Sequence, residues 1–231
     1  MPAKGKRLRP RRKTGSEIAP SIASDRSQHT RERLIRAALS CIAELGYHGA
    51  TMNEIVARAK LSRGAQGHHF PKKLDLVEAA MDYMLAELVK DLREHTNKIR
   101  ERQEQPEELF QYLWHKYYSA ELYMVTLELV VAARSDAKLR LRASAITDKF
   151  HQSIDDCWYL LSRGSAFPDK RLMLILNLTM SLLRGMGMQT VLWNRPDYFH
   201  ELLTEWLQLV KTYFSHEGHL ALPAPGQMAV N

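Results

Sequence analysis

The run from Thr51 to Lys73, Thr-Met-Asn-Glu-Ile-Val-Ala-Arg-Ala-Lys-Leu-Ser-Arg-Gly-Ala-Gln-Gly-His-His-Phe-Pro-Lys-Lys, leaves room for little except two short helices around a tight turn. Thr51 is a good N-cap and Glu54, three positions on, completes a capping-box pattern. A helix is therefore expected to begin there and to bury Met52, Ile55, Val56 and Ala59 along one face. Lys60-Leu-Ser62 breaks it. Leu61 offers an apolar plug between the helices and Ser62 a cap for the second, which is expected to run from about Arg63 to His69 and to end before Pro71. This is a helix-turn-helix pattern. A second helix held in this way can enter a major groove with Arg63, Gln66, His68 and His69 as donors, while Lys72 and Lys73 at its far end reach phosphates. The candidate DNA-contacting set is Thr51, Arg63, Gly64, Gln66, Gly67, His68, His69, Lys72 and Lys73.

The charge is divided in a way that suits such a unit. Residues 1 to 76 carry 16 Lys and Arg against 6 Asp and Glu, and residues 77 to 231 carry 17 against 20, so the overall +7 is +10 followed by −3. Phosphate neutralisation with counterion release dominates non-specific affinity for nucleic acid, so the basic first third points to a polyanion partner. The same charge would also serve as a solvated face.

Residues 1–29 read as a disordered basic tail, because Lys4-Gly-Lys-Arg-Leu-Arg-Pro-Arg-Arg-Lys13 has almost nothing apolar to bury. As an arm it could add phosphate or minor-groove contacts, or simply extend into solvent. No apolar segment follows these charges as in a signal peptide, and no stretch reaches the roughly 18 uncharged apolar residues of a membrane span, so a cytoplasmic protein without a membrane partner is expected. Cys41 and Cys157 are isolated, which suggests neither a disulfide framework nor a zinc site. His68 and His69 are neighbours pointing about 100° apart on a helix, with no carboxylate one turn away, so they do not read as metal ligands. There is no nucleophile elbow, Walker loop or dinucleotide glycine fingerprint. No cofactor, metal or catalysis is expected.

Every strong apolar period is helical. A first helix from about Arg31 to Leu45 places Leu34, Ile35, Ala38, Leu39 and Ile42 on one stripe, and Gly46 stops it in a left-handed cap, with Tyr47 packing beneath the two short helices. After Pro71 a long helix runs through Leu74, Val77, Met81, Met84 and Leu88 and turns polar near Glu94. Gln103 to Glu108 marks a break. Beyond it lie Leu109, Phe110, Leu113, Trp114 and Tyr117, then Leu122, Val125, Leu129 and Val130, then Ile146, Phe150, Ile154, Trp158 and Leu161. Two further helices, Arg171 to Trp193 and Pro196 to about His216, are strongly apolar. The expected class is all-α: a three-helix helix-turn-helix DNA-binding domain at 30–76, a larger helical ligand-binding and dimerisation domain at 77–216, and a loose tail at 217–231.

Gly46-Tyr47, Thr51, Ile55, Ala59, Leu61-Ser62, Gly64 and above all His68-His69-Phe70-Pro71 with Lys73 resemble the N-terminal domain of the tetracycline-repressor (TetR) family over roughly residues 30 to 80. The resemblance implies a dimeric, all-helical transcription regulator. Most such proteins are repressors that leave a palindromic DNA operator when a small molecule binds the C-terminal domain. Two positions depart from the pattern: Gly67 stands where the family usually has an aromatic, often a phosphate-contacting tyrosine, and Gln66 replaces a usual aliphatic. By analogy, the last two helices pair with those of a second copy in a four-helix interface, Gly185 and Gly187 allowing close approach.

For the second domain, Trp114, Tyr117, Tyr118, Met124, Met180, Arg184 and Met188, with His115 and Met186, are candidate walls of an adaptable apolar pocket, although most such residues are plain core. Arg184 interrupts an apolar run and, if buried, requires an anionic or polar partner: the head of a small-molecule inducer, or Glu121 or Glu128. The sequence thus reads as a one-component regulator, a homodimeric repressor with a small apolar or amphipathic inducer. The alternatives are the same fold controlled by a protein partner or acting as an activator and, more remotely, a helical enzyme with a DNA-binding appendage.

Overall fold

A computed structural model describes residues 22–119, 121–162 and 169–215 of the protein, and all regular structure among them is helical. The elements are α1 (Ile22–Gly49), α2 (Met52–Arg58), α3 (Arg63–His69), α4 (Lys73–Arg100), α5 (Pro106–Leu113), a π-helical turn (Trp114–Tyr118), α6 (Glu121–Ala133), α7 (Ala137–Ser162), α8 (Asp169–Thr190) and α9 (Pro196–Ser215). The all-α class follows the spacing. The expected tail is shorter than 29 residues, however, because α1 already begins at Ile22. Residues 25–29 are exposed, and local polar pairs hold the helix there, Thr30 Oγ1 to the Arg26 carbonyl at 2.9 Å and Gln28 to Glu32 at 3.4 Å. Apolar spacing cannot register such a segment. Residues 1–21 and the expected tail at 217–231 lie outside the described residues.

Gly46 breaks α1 with φ 72° and ψ 168°, a backbone open to glycine and strained for other residues. A side chain there would also collide, since a Cβ would lie 2.8 Å from Glu128 Oε2. That carboxylate accepts the Tyr47 N–H at 3.1 Å, so α6 holds the end of α1 by one hydrogen bond. Tyr47 is buried, and the ammonium of Lys73, at the start of α4, donates to its carbonyl and sits 4.2 Å from its ring centre.

One core joins Leu34, Ile35, Ile42, Ile55, Leu76 and Val77 to Val125, Leu129, Leu139 and Ile146 of α6 and α7. The domain boundary expected between residues 76 and 77 therefore falls inside α4 and inside a shared core. A second core, around Trp114, Trp158, Met180, Leu183 and Phe199, fills the far end of the bundle. Arg142 of α7 adds a polar tie, reaching Asp75 at 2.8 Å and also Glu78, both in the first turns of α4.

Pro106 opens α5, and the Gln105 N–H is capped by Glu108 Oε2 at 2.9 Å. The π turn closes with Ser119 N–H on the Trp114 carbonyl at 2.9 Å. It is pressed against α8: a Cβ on Gly187 would lie 2.4 Å from the Tyr118 carbonyl oxygen and 2.8 Å from the Tyr123 ring. Gly187 thus serves packing within the chain, whereas a Cβ on Gly185 would meet nothing within 4 Å. Val130, expected on an inward stripe, is 62% exposed because α6 ends at the rim of a cavity. Leu174, Leu178, Met188, Leu192 and Leu209 leave an exposed apolar face on α8, α9 and the connection between them.

Candidate nucleic-acid interface and cavity

Two side-chain caps build the paired short helices. Thr51 Oγ1 accepts the Glu54 N–H at 3.3 Å, and Ser62 Oγ accepts the Ala65 N–H at 3.2 Å. The reciprocal half of the expected capping box is replaced, since the Thr51 N–H donates to the Gly49 carbonyl at 2.7 Å. Between the helices Lys60 takes φ 52°, and the Arg33 guanidinium donates to the Ala59 carbonyl at 2.6 Å and to the Lys60 carbonyl at 3.2 Å. Arg33 thereby satisfies carbonyls that the end of α2 leaves without helical partners.

α3 has no buried residue of its own. Half-buried Leu61 and buried Phe70 pin its two ends, and Arg31 lies 5.4 Å over the Phe70 ring. The helix therefore lies on the surface. Thr51, Arg63, Gly64, Gly67, His68 and Lys72 are exposed, while Gln66, His69 and Lys73 are half-buried. A Cβ on Gly67 would meet nothing within 4 Å, so the surface at the centre of α3 is flat and open. His68 and His69 stand edge to face with ring centres 5.4 Å apart.

Two candidate contacts are spent inside the protein. Gln66 Nε2 donates to the Phe70 carbonyl, closing the end of α3. Lys73, expected among phosphates, is turned onto Tyr47, and burial lowers its pKa. Both corrections share a physical reason: the chain bends sharply at Phe70-Pro71, and the carbonyls freed at that bend and at Tyr47 need donors.

A cavity of about 450 Å³ lies between α4, the π turn, α6, α7 and α8. Tyr117, Tyr118 and Arg184 line it as expected. Trp114, Met124, Met180 and Met188 do not, and neither do His115 and Met186. Trp114 instead packs on Phe199 of α9, ring centres 5.7 Å apart, Met180 and Met186 are closed into the second core, and Met188 and His115 face outward. Of the aromatics of the π turn, Tyr117 and Tyr118 face the cavity and Trp114 does not. Sequence reading missed Met81, Met84, Leu85 and Leu88 of α4, Tyr123 and Thr126 of α6, and Arg140, Ser144, Thr147, Asp148, Phe150 and His151 of α7. The available signal was the polar stripe on α7, at the spacing a packed helix fills with apolar residues.

Arg184 is half-buried. Glu128 is engaged by Tyr47, and among the described residues no carboxylate lies within ion-pair distance of Arg184. Its Nη2 is 3.4 Å from Ser181 Oγ. Burial pushes the neighbouring Tyr118 phenol up to about 12 even though the Arg184 charge opposes this. Tyr123 Oη donates to the Arg184 carbonyl at 2.7 Å, anchoring α6 to α8.

Behind the cavity, Asp91 of α4 accepts Tyr112 Oη at 2.9 Å, Tyr117 Oη and the Lys116 ammonium. Burial pushes its carboxyl up, but the donors outweigh burial and leave it below the usual value. Tyr117, half in this cluster and half in the cavity wall, is pushed up by burial and by Asp91. Among the described residues no three His, Cys, Asp or Glu converge as a metal site, and no helix is long and apolar enough to cross a membrane. Cys41 and Cys157 are buried free thiols, with pKa values raised chiefly by burial.

Residues 34–80 match the family model described as bacterial regulatory proteins, tetR family. The HTH-type transcriptional regulator CymR of Pseudomonas putida is 25% identical over 210 residues, covering 90% of this chain and 98% of its own. A putative TetR-family regulator from Mesorhizobium loti superposes with TM-score 0.66 at 18% identity, covering 83% of this chain and 98% of its own. The regulator FadR of Bacillus subtilis, solved in complex with stearoyl-CoA, gives TM-score 0.56 at 19% identity, covering 77% and 96%.

Proposed function

Because the chain is a DNA-binding transcriptional regulator of the TetR family, we propose that it is a homodimeric repressor released from a palindromic operator by a small amphipathic molecule bound in the cavity. The observation that carries this reading is continuity. α4 forms a wall of the cavity through Met81, Met84, Leu85 and Leu88 and begins at Lys73, directly after the bend that ends α3. A ligand that shifts α4 therefore moves the recognition helix. α6 gives a second route, since it lines the cavity on one side and holds Tyr47 through Glu128 on the other.

A cavity of this volume falls in the range of small-molecule sites and favours a small-molecule signal over a protein partner. Arg184 supplies the polar anchor in a mostly apolar wall, which suits an acidic or polar head on an apolar body. The exposed apolar face of α8 and α9 is the surface on which a second copy would pair, placing two α3 helices on one DNA face. Ligand binding need only favour the DNA-incompetent arrangement by about 1 to 3 kcal/mol, or roughly 5- to 150-fold in operator affinity.

The test uses Arg184→Met in a reporter strain whose promoter carries an operator selected with the wild-type protein, exposed to a panel of amphipathic carboxylic acids. The variant is expected to silence the promoter as wild type does and to lose the reopening that wild type shows. A variant that reopens normally with the same acid would remove the anchor role of Arg184.

A further inference from the structure

The two long sides of the cavity differ in chemistry. On one side stand the apolar residues of α4 and α6, including Met81, Met84, Leu85, Leu129 and Val130. On the other, α7 presents Arg140, Ser144, Thr147, Asp148 and His151 on one helix face, exposed at the cavity rim except for half-buried Thr147, with Ala143 and Phe150 beside them. From Arg140 to His151 this polar edge extends about 16 Å along the helix axis. Arg184 of α8 and Tyr118 line the same cavity.

Part of the polar edge is not used within the protein. Ser144 Oγ donates to the Arg140 carbonyl at 2.8 Å and Arg140 Nη1 to the Arg134 carbonyl at 3.4 Å, and His151 engages the Thr147 carbonyl through Nδ1 at 3.0 Å, but among the described residues the Asp148 carboxylate, the Thr147 hydroxyl and His151 Nε2 have no hydrogen-bond partner. A plain alkyl chain lying in the cavity would cover Asp148 and Thr147 without pairing them, and an acceptor that loses water without a partner is costly. An alkyl chain would also turn half its surface toward a wet, polar rim.

We infer that the effector is an elongated, stiff, two-faced amphiphile: a hydroxylated polycyclic acid of the bile-acid kind. Its apolar face lies on α4 and α6, its hydroxylated edge runs along α7 with hydroxyls donating to Asp148 and exchanging hydrogen bonds with Ser144 and Thr147, and its carboxylate reaches Arg184. Rigidity suits the site because a preorganised ligand loses little freedom on binding. This inference rests on the reading of the cavity as the effector site and adds the class of molecule.

The experiment is calorimetric titration of the full chain with three probes: cholate, 5β-cholanate (the same skeleton and acid without hydroxyls) and myristate. Cholate is expected to bind at least about tenfold tighter than either of the others. The Ser144→Ala/Thr147→Val variant should lose about tenfold for cholate and nothing for cholanate. Equal or tighter binding of cholanate or myristate would overturn the class while leaving the effector cavity standing, and a cholate affinity indifferent to the α7 variant would overturn the placement. Failure of all three to bind would overturn the class as well. Release of selected operator DNA is measured in parallel. If cholate binds with the expected preference but leaves DNA affinity unchanged, the ligand class holds and the effector reading fails.

Discussion

At the scale of single residues, the two lysines that follow Pro71 have opposite fates. Lys72 is exposed beside α3, whereas Lys73 is folded back onto the Tyr47 carbonyl and ring. Lys72→Ala is expected to weaken binding to all duplex sequences alike and to reduce the log–log salt slope by about 0.9, the value for one phosphate contact. Lys73→Ala should instead cost about 1 to 2 kcal/mol of stability through the lost charged hydrogen bond and ring contact, lowering Tm by about 2 to 8 °C. Binding isotherms across salt concentration and thermal melts of both variants separate the roles. A Lys73→Ala variant with unchanged Tm and a reduced salt slope would return Lys73 to the DNA face. Sequence alone could not distinguish these neighbours, because the partner that captures Lys73 is a carbonyl 26 positions upstream, exposed by a bend at Gly46.

At the scale of elements, the close approach of α8 to the π turn depends on one glycine and not the other. Gly187→Ala pushes a methyl into the Tyr118 carbonyl and the Tyr123 ring, and is expected to cost about 1 to 3 kcal/mol and to distort the cavity wall. Gly185→Ala meets open space, so helix propensity should make it neutral or up to about 1 kcal/mol stabilising in the monomer. If α8 pairs with a second copy, Gly185→Ala will also weaken the dimer, which sedimentation measures directly. A dimer of unchanged strength would move the interface away from this face of α8. The caps at Thr51 and Ser62, the break at Lys60 and the stop before Pro71 were all legible, because each is a local rule acting on side chains a few positions apart. The π turn was not. Trp114, Tyr117 and Tyr118 fit ordinary helical spacing, and only tertiary packing against Gly187 and Asp91 selects which of them face the cavity. Cavity walls were poorly legible for a related reason: an apolar residue that lines a void has the same period as one that fills a core.

At the scale of the molecule, the helices that carry α3 share a core with the helices that wrap the cavity. Leu34, Ile55 and Leu76 share that core with Leu129 and Ile146, Arg142 ties α7 to the first turns of α4, and Glu128 ties α6 to Tyr47. Under the proposed function, this packing would carry a shift of α4 or α6 to α3 without a hinge between separate domains. The boundary near residue 76 suggested by charge and motif is therefore a change of role along α4, not a gap in packing. The central claim is that α3 reads DNA, and selection of bound sequences from random duplexes by the wild-type protein and by Arg63→Ala tests it most directly. The wild type should enrich a two-fold symmetric consensus with half-sites about one helical turn or a multiple apart. Arg63→Ala should relax one symmetric pair of positions, a loss of roughly 1 to 3 kcal/mol for each bidentate contact. No enrichment by the wild-type protein, or a consensus that Arg63→Ala recovers with equal stringency, would contradict the placement of α3 in the groove.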